Sequence, residues 1–68
     1  MDDLGRAIEI MLVVRGYTQE QLAKEVGCTQ GMISMIIGSE RKPGAELEAR
    51  IKEVLGFQDA KDVLRIME

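Results

Sequence analysis

Gln30 follows Thr29 directly, and Ser34 stands four residues further on, one helical turn away. A glutamine amide donates and accepts at once, which suits a bidentate pair with adenine N6 and N7. Thr29 and the backbone N–H groups after it can hold a phosphate if a helix begins there. Arg41 and Lys42 supply two adjacent cations in a segment rich in Gly, Ser and Pro. This is a set for recognition, with nothing that breaks or transfers bonds. The 68 residues contain no histidine and one cysteine, and they show no metal-ligand cluster and no nucleophile beside a base. An enzyme, a metal and a cofactor are therefore not expected.

Two short helices and a turn must position these groups. Thr18 is a good N-cap, and Gln21 three residues later completes a capping box. Leu22, Ala23 and Val26 share a face, and Gly27 stands where a helix end needs a left-handed residue. Thr29 is a second N-cap. Ile33, Ile36 and Ile37 then recur at helical spacing, and Gly38 closes the segment. The expected helices are 19–26 and 30–37. Neither can stand alone, since isolated helices below roughly 12 residues are marginal in water. Helix, Gly-containing turn and helix make the helix-turn-helix pattern. An ordinary helical hairpin in a small bundle has the same spacing. In helix-turn-helix docking the second helix enters the major groove and its first residues meet base edges, which is where Gln30 falls.

The run Gly16-Tyr-Thr-Gln-Glu-Gln-Leu-Ala-Lys-Glu-Val-Gly-Cys-Thr-Gln-Gly-Met-Ile-Ser resembles the lambda-repressor-like (Cro/XRE) helix-turn-helix family, which carries Gly-Leu-Thr-Gln-Glu-Glu-Leu-Ala, then Gly-Val-Ser-Gln and an Ile-Ser pair. Arg41-Lys42-Pro43 is similar to that family's basic loop, and Leu55-Gly56-Phe57 to the end of its fourth helix. The resemblance extends from about Leu4 to Phe57. It implies an all-helical, four- or five-helix domain in a single unit, 1–68, with its helix-turn-helix at 18–38. It also implies base contacts at Gln30, Gly31, Ser34 and Met35, and phosphate contacts at Thr18, Gln19, Ser39, Arg41 and Lys42. Gly31 offers no side chain. Met32 and Met35 stand where polar or aromatic residues are common, so the reading face combines Gln30 and Ser34 with apolar contacts of the kind a thymine methyl accepts. The competing reading of Met32 and Met35 is an adaptable protein-binding surface.

The remaining elements follow from patterning. Helix one is expected over 3–15, with Asp2 and Asp3 at its positive end, Arg15 at its negative end and Gly16 as its stop. Leu4, Ile8 and Met11 should face the core. Leu12 and Ile37 occupy positions where the family often holds an Arg–Glu ion pair. An apolar pair there needs no desolvation of charge, a change that is often neutral or stabilising by roughly 1–4 kcal/mol. Ile10, Val13 and Val14 are either covered by the C-terminal segment or form a contact patch for another chain. Helix four is expected over 45–55, with Leu47, Ile51, Val54 and Leu55 as its stripe and Gly44 as a weak N-cap. Asp59 can cap a fifth helix, 60–67, with Val63, Leu64 and Met67 on one face.

Charge argues against strong non-specific affinity for nucleic acid. The net charge is −3 and the pI about 4.9, whereas a nucleic-acid-binding domain usually has a pI above roughly 9. The acid is unevenly placed. Between Val26 and Gly44 the charges are Glu40, Arg41 and Lys42, a net of +1, leaving −4 for the rest. Cys28 reads as a small buried hydrophobe. A chain of this size without a disulfide fits a reducing, cytoplasmic compartment, and no signal peptide or membrane span is expected. The resemblance therefore implies a regulator, expected to repress transcription by occluding a promoter. It would bind a two-fold operator in double-stranded DNA as a homodimer, with recognition helices about 34 Å apart. Phe57, Val63, Leu64 and Met67, within segment 57–68, would pair the subunits. The alternative is a protein-interaction module on the same fold, an antirepressor or regulatory partner, using the Met-rich face of helix three.

Overall fold

The computed structural model describes the backbone of residues 3–67 and the side chains of residues 3–65. Asp2 and the side chain of Met67 lie outside the described residues. The chain is built from α1 (Asp3–Arg15), α2 (Gln19–Val26), α3 (Gln30–Ile37), α4 (Ala45–Leu55) and α5 (Ala60–Met67). These bounds coincide with the expected ones because most boundaries carry strong local chemistry, the start of α4 at Gly44, with no side-chain cap, being the exception. The Thr18 Oγ1 accepts from the Gln21 backbone N–H at 3.1 Å, and the Gln21 side chain accepts from the Thr18 N–H at 2.8 Å. Asp59 accepts from the Lys61 N–H at 2.9 Å at the start of α5. Gly16, Gly27 and Gly56 end α1, α2 and α4 at φ +72°, +80° and +81°. There a side chain would strain the backbone.

The core gathers one face of every helix. Ala7, Ile8 and Leu12 from α1 meet Leu22, Ala23 and Val26 from α2, and Ile33, Ile36 and Ile37 from α3. Ile51 and Leu55 from α4, with Phe57 and Val63, complete it. Burying each of the larger aliphatic side chains contributes roughly 1.5–3 kcal/mol before entropy is counted. α1 is the central element, packing against α3, α4 and α5, while α2 packs against α3 and α4. No polar or charged side chain is buried among the described residues. Leu12 and Ile37, the apolar replacement for an ion pair, are both buried in this core.

Several expectations are corrected. The core stripe of α1 is centred on Gly5, Ala7, Ile8 and Leu12. Leu4 and Met11 pack at its margin, half-buried. Arg15 stands in the last turn of α1, as expected, and also reaches across the fold. Its Nε donates to the Leu55 carbonyl at 3.1 Å, at the C-terminus of α4. Phe57 and Val63, expected between subunits, face inward as part of the core, because α5 folds back onto α1 and needs both to seal that contact. Of the described side chains named for that pairing, Leu64 is the one left half-exposed. Gly38 closes α3 as expected, at φ −78°, and the left-handed residue that follows it is Ser39 (φ +63°).

Candidate nucleic-acid interface

α3 is held from behind by its three buried isoleucines. On an eight-residue helix this fixes what faces away. Gln30, Gly31 and Ser34 are exposed, and Met35 is half-buried. These are the positions expected to meet base edges. Met32 is also half-buried but packs against the core, so its side chain is drawn behind the exposed face.

The helix starts flanking the turn are capped in a way that leaves their hydroxyl protons available. Thr29 Oγ1 accepts from the Met32 N–H at 3.1 Å, as Thr18 Oγ1 accepts from Gln21. A threonine hydroxyl that accepts in a cap still has its own proton to donate outward. Both threonines are exposed, and Gln19 beside Thr18 is half-buried. Position 29 thus offers a hydroxyl donor next to the backbone N–H groups of the first turn of α3, the geometry that suits an anion.

The basic loop is tied to α3 by backbone. The Glu40 and Arg41 N–H groups both donate to the Met35 carbonyl, at 2.9 and 3.3 Å. This hitch, with the left-handed Ser39, turns the chain sharply out of α3. It holds the start of the loop against the end of α3. Ser39, Arg41 and Lys42 are exposed. Neither cation enters an ion pair among the described residues, so both charges remain available to a phosphate.

The turn is braced by a residue that no local pattern singles out. Arg50 in α4 donates from Nη1 to the Val26 carbonyl at 3.4 Å and from Nη2 to Glu46 at 2.6 Å. It ties the last turn of α2 to α4. The partners lie 24 residues apart, and no local pattern announces such a contact. Cys28, in the turn, is half-buried, and its thiol donates to the Thr29 carbonyl at 3.6 Å. Burial raises its pKa above the ordinary 9.0, so it is a neutral thiol at physiological pH.

A second exposed feature lies on α1. Val13 and Val14 are 80% and 60% exposed, the large apolar side chains most open to water among the described residues. They sit beside a groove of about 440 Å³ between α1 and α5, lined by Ile10, Met11, Val14, Phe57 and Val63 among others. Of the two readings of this region, Ile10 follows the first, half-buried against the core, while Val13 and Val14 remain uncovered.

A helix-turn-helix family model matches residues 11–58, from the last part of α1 through α4, well over half of the chain. Comparisons with curated proteins and with solved structures found no match.

Proposed function

Because the chain belongs to the lambda-repressor-like helix-turn-helix family of DNA-binding regulators, we propose that it is a transcriptional repressor that reads a two-fold operator in the major groove as a homodimer. The observation that carries this reading is the division of α3. Ile33, Ile36 and Ile37 are spent on the core, and Gln30, Gly31 and Ser34 are left to solvent at the end of the helix that would enter the groove. In this reading Gln30 pairs with a base edge, Ser34 hydrogen-bonds a second, and Met35 lies against a thymine methyl. Thr18, Gln19, Thr29, Ser39, Arg41 and Lys42 hold phosphates and set the register. The low positive charge of this side keeps non-specific affinity weak, so specificity rests on base contacts and not on phosphate attraction.

The subunits pair through the uncovered side of α1. Val13 and Val14, with Ile10 and Leu64 at the margin, are the apolar groups left for it once Phe57 and Val63 are committed to the core. Bound at a promoter in the cytoplasm, such a dimer represses by occlusion. No helix among the described residues is long and apolar enough to cross a membrane. The competing use of α3 as a protein-docking face depends on Met32 and Met35 acting together, and the inward packing of Met32 weakens it.

Selection from a pool of random duplexes, at low salt and micromolar protein, tests the proposal. The expected result is an enriched two-fold sequence whose log affinity falls linearly with log salt. Recovery of no sequence under those conditions would overturn it.

A further inference from the structure

Two glycines lie within helices, Gly5 in α1 and Gly31 in α3. Gly5 is forced by the fold. A Cβ there would collide with the Ile37 carbonyl oxygen and come within 2.9 Å of that of Ile36. Gly31 has no such reason. Its φ is not positive, it is exposed, and a Cβ built on it would meet one neighbour, Thr29 Oγ1, in ordinary contact at 3.9 Å. The isolated protein gains nothing from a bare Cα here and loses helix propensity in an eight-residue element. Position 31 adjoins Gln30 and lies three and four residues before Ser34 and Met35, in the middle of the face turned to solvent.

We propose that Gly31 is a specificity-determining position. Its missing side chain lets the backbone of α3 come into van der Waals contact with the edges of the base pairs, close enough for the short Gln30 amide to reach its base with both atoms. This rests on the DNA-reading function proposed above. A Cβ at position 31 holds the helix off the groove floor and breaks the bidentate pair, while phosphate contacts through Arg41 and Lys42 have enough side-chain length to adjust. The loss therefore falls on the operator and spares non-specific duplex. Gly31 is a positioning residue that acts through Gln30.

The test compares Gly31→Ala and Gly31→Gln with the unaltered chain on the selected operator and on an unrelated duplex, alongside thermal melts. Gly31→Ala should raise Tm by about 2–6 °C. It should weaken operator binding roughly tenfold or more, the scale of one lost bidentate contact, and leave unrelated duplex within about threefold. Gly31→Gln should bind the operator still more weakly. Adding Gln30→Ala to Gly31→Ala should cost little further affinity, since the pair is already broken. An alanine variant that binds the operator as tightly as the original chain overturns this inference alone. So does one whose Tm falls, since the glycine would then serve the fold. If the original chain selects no operator, the DNA-reading function fails and this inference fails with it.

Discussion

Gly5→Ala tests whether α3 is positioned from behind by a backbone-to-backbone contact. A methyl group at position 5 points at two consecutive carbonyls, those of Ile36 and Ile37, in the last turn of α3. Neither is the end of a flexible side chain, so the strain cannot be relieved by a rotamer change. α1 and α3 must move apart, and Ile8, Leu12, Ile33 and Ile37 from these two helices all belong to the buried core. Overpacking a tight core costs about 1–3 kcal/mol, and a backbone obstacle places this case near 3. The gain in helix propensity from replacing glycine offsets about 1 kcal/mol. The net loss is about 2 kcal/mol, which in a domain of this size lowers Tm by roughly 8–16 °C. Circular dichroism melts of Gly5→Ala against an exposed helical control, Glu53→Ala, measure it. Alanine substitution at positions 5 and 31 should shift Tm in opposite directions. A Gly5→Ala Tm equal to or above that of the original chain would refute the claim that α1 and α3 meet through their backbones.

Arg41→Ala or Lys42→Ala should each flatten the slope of log affinity against log salt by about 0.9 per protomer, or about 1.8 for a dimer, in an anisotropy titration; an unchanged slope would remove that residue from the phosphate set. Val13→Glu with Val14→Glu should convert a dimer to a monomer in analytical ultracentrifugation and move Tm by only a few degrees, because both side chains are largely exposed. Thr29→Ala removes the cap on Met32 N–H and should cost about 1 kcal/mol in urea unfolding. Iodoacetamide should alkylate Cys28 more slowly in the native chain than in urea at pH 8, since burial holds the thiol protonated. The protonated thiol is the form the fold favours, so its contribution to stability should be lost as pH climbs past the ordinary 9.0 and through the raised native value.

Much of this molecule is legible locally. Thr18, Gln21, Gly27 and Thr29 act within three or four residues of one another, and the caps they form appear where the sequence places them. The isoleucine spacing in α3 gives its buried face for the same reason. What sequence periodicity misreads is long-range. The stripe Leu4, Ile8, Met11 is a sound apolar face. The actual crossing is rotated toward Gly5 and Leu12 because α3 approaches α1 where a glycine admits it. Phe57 and Val63 read as a partner surface, since a short C-terminal helix is amphipathic whether it covers its own core or another chain's. Only the fold-back of α5 onto α1 decides between the two. Arg15 and Arg50 reach carbonyls 40 and 24 residues away, beyond any local pattern.

Those two arginines bear on how an apolar core can specify one arrangement of helices. The Leu12 and Ile37 positions contribute burial but no direction, since contacts between aliphatic groups tolerate sliding and rotation. A buried ion pair there would supply orientation at the cost of desolvation. The orienting contacts here sit instead at the rim, where water offsets that cost. Arg50 meets the open carbonyl end of α2, and Arg15 meets that of α4. Each reaches a helix end closed by a left-handed glycine. A Cβ on Gly27 would lie 3.7 Å from Arg50 Nη1, and one on Gly56 would strike the Arg15 guanidinium. Glycine is thus needed at these ends for its backbone angle, and at Gly56 a side chain would also make the end of Arg15 shift. The rim hydrogen bonds join α1 to α4 and α4 to α2, so the support beneath the turn has a fixed direction although no polar side chain is buried among the described residues.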